Sequence, residues 1–392
     1  MTLPLDGIRI LEIGAYIAGP YAGAMLCAMG AEVVKVEPKG GDPFRRGAGN
    51  RDPYFRQYNA GKRSIAIDLK APEGVALVKA LLPGFDVLLE NNRPGALDRL
   101  GLDAQTCRAI HPGLVYASAS GFGDGGPLRD RPAYDSIGQT ISGFYSIMND
   151  AGDAQMLGGA SADLATAMTT VMGVLAALVG RSRNADGTGS LMQTSLMEAM
   201  SGLTVDAVTS YYEHGVTPTR RSRHAQAQGY CLPTRDNGAI TVHMSVSDKF
   251  FQAIAGAIGR PELASDDRFA TYRARLANYL PLEAIFREAF VKRTRDEWMK
   301  ILTETDVPHA PVLTVEEVVH HPQTDWLGMM EPEDDGLALV RPPVRFDGAR
   351  PPRDFRVPEA GEHTREVAGA VLTADEVEAL IGRGVLRVGG QG

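Results

Sequence analysis

Residues 8–37 read IRILEIGAYIAGPYAGAMLCAMGAEVVKVE, and this stretch decides the fold. Residues 8–13 have the apolar run of a buried strand, 14–20 hold two glycines and a proline, and 21–29 form a small apolar helix stopped by Gly30. Residues 31–36 (AEVVKV) make a second strand with Glu37 at its tip. Strand, glycine loop, helix and strand form a βαβ unit, so the expected sheet is parallel and wound like a dinucleotide-binding fold. Glu37, about 20 residues past the first glycine, mimics the acid that binds ribose in such folds. The fingerprint needs glycine at 14, 16 and 19, however, and position 16 is Tyr, with Pro20 after the last glycine. The fold expectation survives this mismatch, and the nicotinamide expectation weakens.

The same alternation continues downstream. Lys62, Arg63 and Lys70 flank a strand-like 64–69, residues 71–82 form an amphipathic helix, and 86–90 (DVLLE) form a buried strand ending in Asn91-Asn92-Arg93-Pro94-Gly95. Residues 114–118 (LVYAS) are the next strand, and the loop 120–127 (SGFGDGGP) leaves its end. In this architecture ligands bind in the loops at the C-terminal ends of the strands. Asn91, Arg93 and Arg99 are therefore candidate ligand contacts, with helix capping and surface ion pairs as the plainer alternative. Arg131 joins them by charge and position. Lys39, Arg45, Arg46 and Arg51 lie among glycines, where they form either a solvated face or a set of phosphate receivers. Tyr134-Asp135 open a helix running to about 143.

One carboxylate sits where a glycine loop turns into an apolar helix, in Gly158-Gly159-Ala160-Ser161-Ala162-Asp163, followed by small and apolar residues from 164 to 180. A helix apolar on every side is a buried helix. An acid in its first turn accepts backbone N–H bonds and faces the positive end of the dipole, so Asp163 is expected to stay ionised. Two readings remain open locally. Asp163 either only caps the helix, or the glycines let a substrate approach a carboxylate that acts as a nucleophile in a dry site.

The 392 residues exceed one hydrophobic core and point to about two domains. With 44% hydrophobic and 22% charged residues the composition is that of a soluble globular protein, and the formal net charge of -8 argues against nucleic acid as a partner. Cys27, Cys107 and Cys231 are widely spaced and odd in number, which fits a reducing cytoplasm better than disulfides or a metal site. No basic n-region with an apolar h-region marks a secretory signal, and the run 164–180 is short for a membrane span. From about residue 205 the pattern changes: 229–234 and 239–244 flank Arg235-Asp236-Asn237-Gly238, a hairpin signal. Residues 248–259, 272–278 and 281–304 read as amphipathic helices, 335–347 as strand and 374–382 as a terminal helix.

Taken together, the motifs resemble the family III CoA-transferases, the group that includes formyl-CoA:oxalate and carnitine CoA-transferases. The resemblance is carried by Leu5-Asp6-Gly7, Ala18-Gly19-Pro20, the run from Gly30 to Glu37, Gly41-Asp42, Lys62-Arg63-Ser64 through Asp68-Leu69-Lys70, and Glu90-Asn91 with Arg93-Pro94-Gly95. Ser120-Gly121-Phe122-Gly123, Asp163, Gly187-Thr188-Gly189 and Gly361-Glu362-His363-Thr364 complete it. It implies that Asp163 is the nucleophile for CoA transfer from a donor acyl-CoA to a small carboxylic acid, through an aspartyl anhydride and an aspartyl-CoA thioester. It also implies that Ala18, Lys70, Asn91 and Arg99 contact CoA, and that Tyr54 and Tyr134 line the site beside Gly158 and Gly159. Coenzyme A is then a substrate, with no tightly bound cofactor, no metal and no membrane.

The implied fold is a Rossmann-like α/β domain built from both chain ends, with a smaller α+β domain between, in an interlocked homodimer. The corresponding boundaries are 1–205 for the first part of the large domain, 206–225 for a linker, 226–312 for the small domain and 313–392 for the return and completion. Two departures matter. A phosphate-contacting Arg of the oxalate enzymes is replaced by Pro38, leaving Lys39 or Arg45 to substitute, and their glycine-run loop is absent, so oxalate is not expected as acceptor. The α-methylacyl-CoA racemases share the fold and the aspartate but use a His before an Asp where this chain has Tyr134-Asp135. Racemisation is the alternative reading, and a noncatalytic CoA-binding protein is the third.

Overall fold

The computed structural model describes residues 3–390 apart from 151, 353 and 355. The strands are β1 (Arg9–Ile13), β2 (Glu32–Glu37), β3 (Arg63–Ile67), β4 (Val87–Glu90), β5 (Val115–Ser120), β6 (Leu191–Ser195), β7 (Gly229–Pro233), β8 (Ala239–His243), β9 (His309–Pro311), β10 (Met330–Pro332), β11 (Ala338–Val340) and β12 (Leu386–Arg387). The chain gathers into two compact units, one of Met1–Phe144, Met156–Thr204 and Pro322–Gly392, the other of Tyr145–Gln155 and Val205–His321. Residues 145–155 thus fall with the second unit, where the sequence reading ran the first domain unbroken to 205.

In the first unit one seven-stranded sheet has the order β12-β3-β2-β1-β4-β5-β6. The neighbours from β3 to β6 are parallel, with Leu11 opposite both Val34 and Leu88, and β12 closes the far edge antiparallel to β3. Alternate strand residues leave by opposite faces. Ile10, Val33, Val87 and Leu89 pack on one side against helices α1 (Ala18–Ala28) and α3 (Ser161–Arg183), through Met25, Leu26, Val171 and Val174. Leu11, Val34, Val36 and Leu88 pack on the other against Leu77, Val78 and Leu81. Covering both faces is what makes the strands read as nearly continuous apolar runs. Two further helices, α2 (Asp135–Ile141) and α4 (Leu196–His214), flank α3 in sequence. Because the winding reverses between β1 and β4, a crevice opens at their C-terminal ends.

Several expectations need correction. Helix α1 begins at Ala18, inside the expected loop, because a proline in the first helical turn forfeits only an N–H that has no partner there. Helix α3 is not buried on every side: Ala167, Val171, Val174 and Leu178 face the core, while Met168, Met172 and Val179 are exposed, Met172 to 63%. It is the one described helix long and apolar enough to cross a membrane, yet one face of it packs on the sheet. Strand β6 was not read from the sequence. The expected strand at 335–347 is the β10–β11 hairpin, which starts earlier and ends at Val340.

The second unit carries the antiparallel sheet β7-β8-β9, with Cys231 opposite Thr241 and Asn237 at φ 59° in the hairpin turn, as Asn-Gly favours. Its core is aromatic, with Phe290 and Trp298 stacked at 4.2 Å and the indole N–H donating to Phe290 O at 2.8 Å. The single helix expected over 281–304 is two, α6 (Tyr279–Phe290) and α7 (Arg295–Glu304), following α5 (Asp248–Ala257). The break falls where Thr294 and Glu297 form a capping box that starts α7.

Candidate active site

The loop from Gly14 to Ile17 leaves β1 and is held from four directions. Asn91, just past β4, accepts from Ala15 N and donates to Ala15 O, both at 3.0 Å. Asn92 donates to Ile13 O at 2.8 Å, Lys35 Nζ to Gly14 O at 2.7 Å, and Lys62 Nζ to Pro20 O at 2.8 Å. The glycines serve this clamp. A Cβ on Gly14 would lie 2.4 Å from Asn91 Oδ1, and one on Gly19 would lie 2.7 Å from it. They make room for an asparagine side chain and not for a pyrophosphate. Asn91, a candidate CoA contact in the sequence, thus spends its amide on the protein's own backbone.

Beneath the loop lies a buried ionic network. Glu12 pairs with Lys35 at 2.9 Å and Lys62 at 2.7 Å, and Lys35 also reaches Asp42 at 2.9 Å. Burial alone would raise the Glu12 carboxyl, but the two ammoniums more than reverse this and hold it below the usual carboxylate range. Glu37 is equally enclosed, paired with Arg45 at 2.6 Å and accepting from Ser64 Oγ at 2.6 Å. Neither Glu37 as a ribose acceptor nor Arg45 as a phosphate receiver is free for those tasks. Lys39 stays exposed, bonded to Asp68 at 3.0 Å.

Within this clamped loop Tyr16 takes φ 66°, a left-handed conformation that costs a non-glycine residue about 1–2 kcal/mol. Its ring meets Phe44 at 5.5 Å and Tyr134 at 5.8 Å, both edge-on, and Phe44 in turn lies 6.3 Å from Tyr54. A line of rings therefore runs from Tyr54 to Tyr134.

Asp163 occupies the first turn of α3, but it does not cap it. The cap comes from α2: Asp135 Oδ1 accepts from Ala162 N at 2.8 Å and from Asp163 N at 3.1 Å. Gln139, one helical turn along α2, steadies that carboxylate by donating to Asp135 Oδ2 at 2.5 Å and to Gly159 O at 2.9 Å. Among the described residues, no hydrogen-bond donor reaches the Asp163 carboxylate. Burial, and then the like charge of Asp135, push its carboxyl up to about 7. This corrects the expectation that the helix end keeps Asp163 ionised: the favourable end of the dipole is occupied by Asp135, and what remains for Asp163 is desolvation and repulsion. An unpaired, partly dehydrated carboxylate is a stronger nucleophile than a capping one.

The crevice between β1 and β4 holds a cleft of about 230 Å³ that brings Asp163 together with Tyr16, Ile17, Ala18, Asn91, Arg93 and Tyr134, with Ser120 and Thr166 also in its wall. A second cavity of about 490 Å³ adjoins it through Arg93. Lys70, Arg99 and Arg131 are exposed and lie outside the cleft wall, Lys70 on the turn after β3 and Arg99 in the short helix Asp98–Leu100. Tyr54 is exposed and joins the cleft only through its ring neighbours. Gly158, at φ 75°, and Gly159 lead into α3, and a side chain at Gly159 would meet nothing within 4 Å, so the approach there is open. Tyr16, Asp135 and Gln139 escaped the sequence reading as site residues. Tyr16 had one signal, a tyrosine where the fingerprint wants glycine, whereas nothing local links Asp135 to Ala162.

The model of CoA-transferase family III matches residues 5–364. The chain belongs to that family. It is 32% identical to the succinyl-CoA:D-citramalate CoA-transferase of Chloroflexus aurantiacus, over 98% of both chains, and 33% identical to the succinate:glutarate CoA-transferase of Agrobacterium fabrum, over 95% of this chain and 96% of that one. Among solved structures, a CaiB/BaiF family protein from Brucella suis superposes with a TM-score of 0.82 at 33% identity, covering 95% of this chain and all of that one. This family III member is accordingly an enzyme, a CoA-transferase acting between acyl-CoA and a carboxylic acid.

Proposed function

We propose that Asp163 carries the CoA between donor and acceptor as a covalent intermediate. An Asp163 oxygen attacks the thioester carbonyl, the C–S bond breaks, and CoA thiolate leaves an aspartyl mixed anhydride. The thiolate attacks the aspartyl carbonyl, releasing the donor acid and leaving an aspartyl-CoA thioester. The acceptor carboxylate then displaces thiolate to form a second anhydride, and the thiolate takes the acceptor's acyl group and frees Asp163. No net proton is consumed. The observation that carries this reading is a largely buried carboxyl, pushed up to about 7, that no donor reaches among the described residues and that lines a cleft in the strand-switch crevice.

Strand-end residues supply the grip that positions the thioester, which is where most of the rate advantage of such a reaction arises. In this reading Arg93, Lys70 and Arg99, with Arg131, bind the CoA phosphates, while Ala18 and the Asn91-clamped loop lie against the pantetheine arm. The relatives' names make succinyl-CoA the first donor to try, with dicarboxylic and monocarboxylic acids as acceptors. We further propose a homodimer, supported by the exposed apolar faces of α3 and α4, and a cytoplasmic location, supported by three cysteines that form no disulfide. Incubation with an acyl-CoA and no acceptor is expected to leave a CoA or acyl adduct on Asp163 by peptide mass spectrometry, and Asp163→Ala is expected to abolish transfer. Wild-type exchange by that variant would overturn the assignment.

A further inference from the structure

Two buried ammoniums hold the two ends of the loop that faces Asp163. Ala15, Tyr16, Ile17 and Ala18 of this loop line the cleft. At its β1 end Lys35 Nζ donates to Gly14 O at 2.7 Å, and at its α1 end Lys62 Nζ donates to Pro20 O at 2.8 Å. Both ammoniums sit on one carboxylate of β1, Lys35 on Glu12 Oε1 at 2.9 Å and Lys62 on Glu12 Oε2 at 2.7 Å. Lys62 finds a third acceptor in Asn59 Oδ1 at 3.0 Å, at the end of the helix Pro53–Asn59, so each of its three hydrogens is used. Glu12, Lys35 and Lys62 are all exposed by 3% or less.

Helix α1 is shaped to this arrangement. A Cβ on Gly23 would collide with Glu12 Oε2 and lie 3.2 Å from Lys62 Nζ, so a glycine there leaves room for the pair. Stability alone explains such a network poorly. Desolvating buried charges offsets most of their attraction, and apolar side chains of similar volume often hold a core as well. What apolar side chains cannot do is donate to the carbonyls that bound a loop. Lys62 does so at Pro20, in the first turn of α1, while anchored to β1 through Glu12 and to a further helix through Asn59.

We propose that Lys62 is a positioning residue for CoA transfer: it fixes the start of α1, and with it the cleft wall of Ile17 and Ala18 along which the thioester is aimed at Asp163. The inference rests on the covalent route and on the placement of the pantetheine arm given above. Lys62 touches no reacting atom. In that placement the CoA phosphates are gripped by strand-end cations outside the loop, so a displaced wall leaves binding largely intact and moves the thioester carbonyl away from the attacking oxygen. A misplacement of about 1 Å costs on the order of 10²-fold in rate.

The test compares Lys62→Met, which keeps an unbranched stem and removes the donor, with Glu12→Gln/Lys62→Met, which also removes the carboxylate left short of an ammonium. Both are assayed with the acyl-CoA that the wild type turns over, succinyl-CoA first, and kcat is taken per folded molecule. Lys62→Met is expected to melt below wild type and to lower kcat about 10²-fold, with the acyl-CoA KM within about threefold. In the double variant Lys35 and Asp42 still balance, so melting should recover in part, while kcat stays as low as in the single variant because Pro20 O still lacks its ammonium. Wild-type kcat in either variant, a kcat that climbs back with the melting temperature, or a loss confined to KM would overturn the proposal. If Lys62→Met does not fold, the kcat of the double variant decides alone. Asp163→Asn separates the two claims. If it still transfers CoA, the covalent route fails. If it is inactive while the Lys62 variants are fully active, only the positioning assignment fails.

Discussion

At Asp163, the carboxyl raised to about 7 links reactivity to pH in a definite direction. On the proposed covalent route only the carboxylate attacks, so kcat/KM for the acyl-CoA should rise with pH through about 7 and level off above it, a profile measurable by steady-state assay. The same group has the opposite effect on stability. A carboxyl whose folded pKa lies above its unfolded value near 3.9 favours folding below that value, loses this support between about 4 and 7, and opposes folding above 7. Asp163→Asn should therefore unfold at a higher temperature than wild type at pH 8 and at about the same temperature at pH 4, read by differential scanning fluorimetry. Equal melting at both pH values would mean that Asp163 is not held in a desolvated site. Under the proposed role of Asp163, this is the trade of stability for activity expected at a catalytic position. The aspartate itself was legible in the sequence as an acid beside flexible glycines, but its protonation was not, because the partner that takes its capping role lies in another helix.

Among the elements, that partner makes helix α2 the device that shapes α3. Asp135 accepts two first-turn amides of α3 and at the same time repels the Asp163 carboxylate. The two effects separate by substitution. Asp135→Asn keeps an oxygen for the amides but removes the charge, so the midpoint of the pH–rate profile should move below that of wild type; its amide nitrogen cannot accept from Gln139 Nε2, so a melting loss smaller than that of Asp135→Ala should accompany the shift. Asp135→Ala removes the cap as well and should cost about 1–2 kcal/mol in a denaturant titration. The β1 loop is equally exacting. Gly14→Ala would drive a Cβ to 2.4 Å from Asn91 Oδ1, which cannot withdraw without releasing Ala15, so this variant should lose both stability and activity. The alternation of strands and loops was readable because parallel strands buried on both faces are long apolar runs. Strands β6 and β12 were not, since Leu191–Ser195 is partly exposed and Leu386–Arg387 is only two residues long; pairing with β5 and β3 gives them their conformation. The Asn91 clamp was hidden for a related reason: the sequence shows glycines at 14 and 19, but the side chain they admit comes from a strand end more than 70 residues away.

For the whole molecule, what most needs explanation is apolar surface. Helix α3 turns Met168, Met172 and Val179 outward, and α4 exposes Val205, Val208 and Tyr212, the last to 83%. Each set recurs at three, four or seven residue steps or their sums, so each is a stripe along one helix face, whereas single exposed apolar residues are ordinary and need no partner. Stripes of this kind on a protein carrying net charge -8 suit burial against a second subunit, and the proposed homodimer would supply one. The expected result in sedimentation velocity is a species of twice the chain mass that persists on dilution. Met172→Glu together with Tyr212→Glu sets a carboxylate in the middle of each stripe, where desolvation makes association costly. The double variant should sediment as a monomer, or as a dimer that dissociates on dilution. A wild type that is monomeric at every concentration would remove the dimer. A double variant that stays as tightly dimeric as wild type would place the interface elsewhere on the molecule.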